Sequence, residues 1–465
     1  MKKLILLLLI SNLCFAQKQL NQWRFGRNCG LDFNSGNPIP VSGSAMSTTE
    51  GVSSIADVNG NLLFYTDGIR VWNKNNIQMP NGFGLLGDVS STQSGVIVQR
   101  PKSSRYYYIF TVAQQQRSFG INYSVVDITL NSGLGDVITK NVSMQRNSSE
   151  KICIVRHCNN IDFWVVTRDI GRTFRVWLVT AAGINMVPVV SNISTINVSS
   201  DTLNPAINSG KLGQLKANPQ GNRLGCCYYD PINITASYVF NNSTGVVSNE
   251  NILSTSSIRT RNYGCEFSPN GRYLYVCYNT GNFLDQYDLC NPTVNLSRIV
   301  IATNIGSLIG SLQLATNGKI YITKSEPIGT LSSLSVINNP DIGGIGCNLS
   351  LWSVPTNCST SFGLPNNAQY YLKPYEVPFK YNINCQKVNF YLPWISVLEC
   401  LNNLDLLDLL WDFGDGNTST ENNPIHNYNN IGTYNVNLYL TFNCYKDTIS
   451  NVITINNINV NLKTN

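Results

Sequence analysis

Four side chains of this 465-residue sequence are best placed to do chemistry: Glu50, Asp67, Gln93 and Trp72. The three polar ones each stand beside a strand of the first part of the chain, where loops converge on one face and pockets usually take ligands. A pair of carboxylates can divide the roles of general acid and base in hydrolysing a glycosidic bond. An exposed indole such as Trp72 can stack on a sugar ring. The blander use of the same residues is hydrogen bonding between neighbouring sheets, with most aromatics simply filling sheet interfaces.

Other chemistry is short of raw material. There are only two histidines, His157 and His426, so multi-histidine metal sites and Ser-His-Asp triads have little to draw on. His157 and Cys158 adjoin, but neighbours in sequence usually point apart, and a turn histidine beside a disulfide is the better expectation. Gly343-Gly344-Ile345-Gly346 is rich in glycine yet precedes no helix, so it does not read as a phosphate cradle. Asp57-Val58-Asn59-Gly60-Asn61 has the look of a calcium loop but lacks the terminal Glu, and reads as a hairpin turn. With no CxxC pair, and with Cys226 and Cys227 pointing to opposite faces of a strand, zinc is not expected. The expectation is no cofactor and no metal.

The elements that position these residues are strands. A unit recurs in which an apolar strand, a polar turn built on Asn-Gly or Pro-Xaa-Gly and an aromatic-rich strand follow one another. Its copies begin their second strands at Leu62, Tyr106, Phe163, Arg223, Tyr273 and Ile320, in steps of 44 to 60 residues. Such steps suit one four-stranded propeller blade each. A seventh blade can be assembled from both ends, with three strands between Trp23 and Val41 and a closing strand from Asn366 to Leu372. The expected architecture is all-β, a seven-bladed β-propeller over 17–376. Pro374 and Pro378 mark the boundary to a small β-sandwich over 377–465, within which Ser396–Leu410 reads as strand and loop rather than helix.

Composition agrees with many short strands. Only 12% of residues are charged, while Asn occurs 63 times and tolerates turn conformations. The formal net charge is +6 without any Lys/Arg cluster, which disfavours nucleic-acid binding. Residues 1–16, with Lys2, Lys3, the apolar run Leu4–Ile10 and Cys14-Phe15-Ala16, read as a secretory signal peptide. No stretch reaches the ~20 apolar residues of a membrane span. Fourteen cysteines in an exported chain predict some disulfides, and Cys347 and Cys358 bracket a short loop.

Trp411-Asp412-Phe413-Gly414-Asp415-Gly416, Pro424-Ile425-His426-Asn427-Tyr428 and Gly432-Thr433-Tyr434-Asn435-Val436-Asn437-Leu438 resemble the PKD domain. That resemblance implies an immunoglobulin-like sandwich of extracellular proteins, used as a spacer or in protein and carbohydrate contact. Upstream, Trp23-Arg24-Phe25-Gly26, Gly60–Gly68, Met79-Pro80-Asn81-Gly82, Ser90–Ser94 and Gly363-Leu364-Pro365-Asn366 resemble exported Bacteroidota proteins that join a propeller to a PKD domain. Many of those continue into a gliding-motility-associated sorting domain. This sequence ends at Asn465 without one, so periplasmic retention, another export route and truncation all remain open expectations.

Together these features predict a non-enzymatic, secreted or cell-surface binding, adhesion or scaffold protein. Its propeller face would meet a cell-envelope protein or glycan. The rival expectation is a glycan-processing hydrolase or lyase with carboxylates on that face, and a purely structural surface-layer component is a third.

Overall fold

The structure, a computed structural model, describes residues 18–114, 119–146, 148–198, 210–229, 232–254, 260–279, 282–303, 305, 308–372, 379–392, 406–442 and 446–456. The signal peptide, the Pro374–Pro378 boundary and residues 396–405 of the expected strand and loop lie outside them. Ahead of residue 356 the described strands form seven successive antiparallel sheets, at 22–40, 53–83, 95–145, 148–192, 215–254, 262–302 and 309–355. They are numbered 1 to 7 below. Sheet 1 has three strands, sheet 4 five and the others four. The first strands of sheets 2 to 7 follow one another around a common centre, the arrangement of a β-propeller.

The six residues that mark the repeat in the sequence each begin the second strand of a sheet: Leu62, Tyr106, Phe163, Arg223, Tyr273 and Ile320. What fixes the preceding turn is local. Asp57 Oδ1 accepts hydrogen bonds from the amides of Asn59 and Asn61 at 2.8 and 2.9 Å, and Asn218 Oδ1 does the same for Asn222 and Arg223 at 3.0 Å. Gly60 and Gly221 take the positive φ between these anchors, at 88° and 71°, where a side chain would be strained. Asp57–Asn61 is therefore a hairpin turn.

Aromatic layers join the sheets. Trp23 and Phe33 of the first sheet meet Tyr321 of the seventh with ring centroids 5.7 and 5.4 Å apart. On its other side sheet 1 touches sheet 2, where Ser54 Oγ donates to Gln22 O at 2.6 Å.

Ring closure differs from the expectation. Asn366–Leu372 supplies no closing strand; Gln369–Tyr371 is a 3-10 turn. The chain instead returns just upstream. Cys358 is bonded to Cys29, not paired with Cys347, which is a buried free thiol. The Arg27 amide donates to Ser359 O at 3.1 Å, the Phe362 amide to Thr49 O at 2.9 Å and the Ser311 amide to Phe362 O at 2.7 Å. Val52 and Pro365 form a parallel bridge. This return wedges between sheets 7 and 2 so tightly that a Cβ on Gly363 would lie 1.7 Å from Glu50 O. Prolines and a tight bend suit such a wedge better than a regular strand, because Pro365 has no amide hydrogen for a ladder.

The C-terminal domain pairs a three-stranded sheet (380–384, 387–391, 425–427) with a four-stranded one (406–412, 418–419, 432–442, 446–455). Leu406–Asp412 is a strand, not a helix. Trp411 is fully buried against Phe379 and Phe390 at 4.9 and 5.4 Å, and its Nε1 donates to Glu421 O at 3.0 Å. Asp412 Oδ1 and Asp415 Oδ1 accept the amides of Gly414 and Asn417. A Cβ on Gly414, whose φ is 77°, would come within 2.6 Å of Asn435 O; Gly416, at 92°, completes the turn. His426 lies flat on Phe413 at 4.1 Å and meets Asp415 Oδ2 through Nε2 at 2.7 Å. Tyr428 Oη donates to Phe413 O, and Tyr434 Oη to Asn430 O, at 2.9 and 2.8 Å, so Trp411, Asp412, Gly414, Asp415, Gly416, His426, Tyr428 and Tyr434 each have a structural task.

Two stability outcomes follow. Replacing Cys29 and Cys358 by Ser should cost the propeller about 2–4 kcal/mol, seen as a lower urea midpoint. Trp411→Ala should lower only the C-terminal domain's transition, by about 3–5 kcal/mol, with limited proteolysis showing cleavage confined to that domain.

Candidate functional site

The centre of the ring is polar, which is unusual for a chain so poor in charge. Its first layer lies where the inner strands start. Thr92, just ahead of the first strand of sheet 3, donates its amide and its hydroxyl to Glu150 Oε2 at 2.8 and 2.9 Å. Glu150 belongs to the first strand of sheet 4 and is fully buried; its amide donates to Lys211 O at 3.1 Å. Lys151 beside it is also fully buried, and its Nζ donates to the carbonyls of Lys211, Leu212 and Gly213. Burial brings the Lys151 ammonium down to about 8.

Glu50 completes this layer. Burial, then the negative charge of Glu150, push its carboxyl up to about 9, with Asp88 adding to the rise and the Tyr263 hydroxyl opposing it. Glu50 therefore holds its proton at neutral pH. Burial followed by the same two glutamates holds the Tyr263 phenol well above its ordinary range. Burial also lowers Lys211, and Glu150 opposes that shift. Glu50 Oε2 and Tyr263 Oη, both buried, complete no hydrogen bond of normal geometry. Two buried polar atoms that interact without completing a well-formed hydrogen bond carry a desolvation cost that a ligand can relieve.

Below them lies a layer of amides. Gln93, with no exposed surface, donates through Nε2 to Leu215 O at 3.0 Å and Asn366 Oδ1 at 3.1 Å; its Oε1 accepts the amides of Ile152 and Leu215 at 3.2 and 2.9 Å. Gln214 Oε1 accepts from Cys265 and Leu312 at 3.2 Å each. A third layer holds Lys216, Glu266 and Gln313. The return segment caps that end: Gln369 Nε2 reaches Glu266 Oε1 at 3.2 Å, and the Gln99 amide donates to Tyr371 Oη at 2.8 Å.

Of the four residues singled out in the sequence, the structure brings Glu50 and Gln93 to the ring centre. Asp67 is not Glu50's acidic partner: the carboxylates acting on Glu50 are Glu150 and Asp88. Asp67 Oδ1 instead caps its own turn, accepting the amides of Ile69 and Arg70 at 2.8 and 2.7 Å. Trp72 is not an exposed platform either; it is 5% exposed and stacks on Tyr65 at 5.4 Å. Cys158 is disulfide-bonded and His157 stacks on Trp164 at 5.4 Å, which removes the nucleophile pair. Glu150, Lys151, Lys211 and Tyr263 were missed. The signal for the first two was present, an acidic and a basic residue side by side ahead of the apolar run Ile152-Cys153-Ile154. Among the described residues no group of three or more His, Cys, Asp or Glu could hold a metal ion, and no helix is long and apolar enough to cross a membrane.

The PKD domain family matches residues 400–456, and the C-terminal sandwich is a PKD domain. The PKD1 domain of the Vibrio cholerae metalloprotease PrtV is 28% identical over 17% of this chain and 93% of its own, with a TM-score of 0.15. The Myceliophteria thermophila Cps50 (Swd1) β-propeller domain is 10% identical over 65% of this chain and 92% of its own, with a TM-score of 0.38. A functionally unknown protein from Desulfotomaculum acetoxidans DSM 771 is 12% identical, covers 75% and 90%, and also has a TM-score of 0.38.

The raised acid at Glu50 has a definite effect on stability. In the unfolded chain its proton leaves near 4.5, in the folded one near 9, so the fold binds the extra proton between those values and loses stability as pH rises through that window. Glu50→Gln keeps a neutral side chain at every pH. Its stability relative to the parent should therefore rise steadily from pH 5 to pH 9 in denaturation curves, and a difference that stays flat would show an ordinary carboxylate.

Proposed function

We propose that this is an exported, non-enzymatic binding or adhesion protein of the bacterial envelope. The end of the propeller carrying Glu50, Glu150, Tyr263 and Lys211 is its interaction surface, and the PKD domain is its spacer or second contact. The observation that carries the reading is the buried pair Glu50 Oε2 and Tyr263 Oη, neither of which completes a hydrogen bond of normal geometry, the first on a carboxyl that burial keeps protonated. Neutral donors and acceptors held ready in a low-dielectric setting suit the hydroxyls of a glycan or the polar groups of an envelope protein. The disulfide and the PKD domain support a location outside the cytoplasm, at the cell surface, in the medium or in the periplasm. The resemblance to Bacteroidota propeller–PKD proteins belongs to the same proposal.

One observation favours a second reading. Glu50 and Glu150 are a carboxyl pair of which one member keeps its proton at neutral pH, the division of labour that glycoside hydrolysis uses. The enzyme would then be a hydrolase working at this pair, with Glu50 as proton donor.

The test is a screen of the full chain against envelope glycans and proteins, run beside Glu50→Ala and Glu150→Gln. Saturable binding that weakens about tenfold or more in both variants, with every glycan recovered intact, is the expected result. Consumption of a glycan by the parent and not by the variants would establish the hydrolase instead. Binding unchanged in both variants would move the interaction surface elsewhere.

A further inference from the structure

We propose that Lys216 and Gln313 become joined by an intramolecular isopeptide bond, with Glu266 carrying the protons. The three side chains come from the first strands of sheets 5, 6 and 7 and meet at the centre of the ring. Lys216 Nζ lies 2.5 Å from Gln313 Oε1 and 3.2 Å from Glu266 Oε2. The Lys216 and Glu266 side chains are 1% and 0% exposed, and Gln313 is 0% exposed. Amine, amide and carboxyl are thus held together away from the protein surface.

Each member is oriented for that reaction. Gln313 Nε2 donates to Leu314 O at 2.9 Å, which turns the amide so that its carbonyl faces Lys216. Glu266 is fixed by the amides of Phe267 and Leu314, at 3.0 Å each, and by Gln369 Nε2 at 3.2 Å. Lys151, the other fully buried lysine of the centre, gives its Nζ to three backbone carbonyls. Lys216 meets a carboxylate and a primary amide instead. Holding the amine against the amide in this way spares the entropy that a reaction between free groups would lose.

The step balances without any oxidant or cofactor. The Lys216 ammonium gives a proton to Glu266, and the freed lone pair attacks Gln313 Cδ. The C–N bond to Nε2 breaks as a second proton passes from Nζ to the leaving nitrogen, and Glu266 returns the first. A secondary amide remains, ammonium departs and Glu266 is again a carboxylate. The product replaces a buried cation by a neutral amide and fastens sheet 5 to sheet 7 across sheet 6. Glu266 keeps three nitrogen donors, so its charge stays solvated by the protein.

A tryptic digest of the full chain with peptide mass analysis tests this. Linkage makes Lys216 uncleavable, so residues 212–223 and 299–319 should appear as one branched species, lighter than the two peptides by one ammonia, about 17 Da. Recovery of linear 212–216 and of 299–319 at its full sequence mass from the folded parent protein overturns the proposal, and that digest decides even if no variant folds. Lys216→Met should give no branched species. Glu266→Gln, checked for β structure by circular dichroism, should give none or a small fraction; complete linkage in that variant would overturn the role of Glu266.

Discussion

A ring of sheets is stable only when its first and last members meet, and here they are 329 residues apart at the Cys29–Cys358 disulfide. Bringing such distant segments together costs loop-closure entropy before any contact repays it. The return of the chain at 358–372 is what repays it. It places Phe362 between Thr49 and Ser311, Asn366 against Gln93 and Ile152, Gln369 against Glu266 and Tyr371 under Gln99. One short segment thus bonds to sheets 3, 4, 6 and 7 as well as to the approach to sheet 2. Unseat it, and the polar centre loses its floor while the first sheet loses its neighbour.

That centre explains how so few charges are used. Ionised groups are costly to bury unless hydrogen bonds replace water around them. Lys151 is surrounded by three carbonyls, and Glu266 by two amides, a glutamine and Lys216. Fully buried Arg168 follows the same rule without a carboxylate, donating to four backbone carbonyls and to Tyr228 Oη. Gln93 and Gln214 each bridge amides of two different sheets. The strands that converge on the axis leave backbone groups without ladder partners, and these side chains satisfy them. Against that background, Glu50 Oε2 and Tyr263 Oη are among the buried atoms whose hydrogen-bonding capacity the network leaves unfilled.

The repeat was legible because it is written in local chemistry. An Asx-type anchor, a glycine at positive φ and an alternating strand each act within a few residues, so Leu62, Arg223 and Tyr273 could be placed without knowing anything distant. The PKD signature is legible for the same reason: Asp412, Gly414 and Asp415 make one turn together, and Trp411 fills the core beside it. Long-range facts were not legible. Asp67 and Glu150 are both acidic residues near a strand, and nothing within ten residues of either says that one caps a turn while the other faces Glu50. Trp72 looks like a platform in sequence because exposure is a property of the next sheet, not of its own strand. Scarcity of charge is itself a signal. In a chain with 12% charged residues, Glu150-Lys151 and Cys265-Glu266-Phe267 place charge beside or within apolar strands, where it must be paired to survive.

The two ends of the ring differ for a geometric reason, and the difference bears on where recognition can occur. At one end each inner strand joins its neighbour in the same sheet through a tight turn such as Asp57–Asn61 or Asn218–Asn222, whose anchoring side chain is consumed in holding the turn. That end is also crossed by the 3-10 turn at 369–371. At the other end the outermost strand of one sheet must reach the innermost strand of the next. Residues 84–94 make that crossing between sheets 2 and 3, and Asp88, Thr92 and Gln93 all come from it. Crossing segments are long enough to carry side chains the fold does not need, and they arrive together at the axis. A propeller of this kind can therefore change what it binds by changing its crossings, while its short turns and its closing segment stay fixed by closure itself.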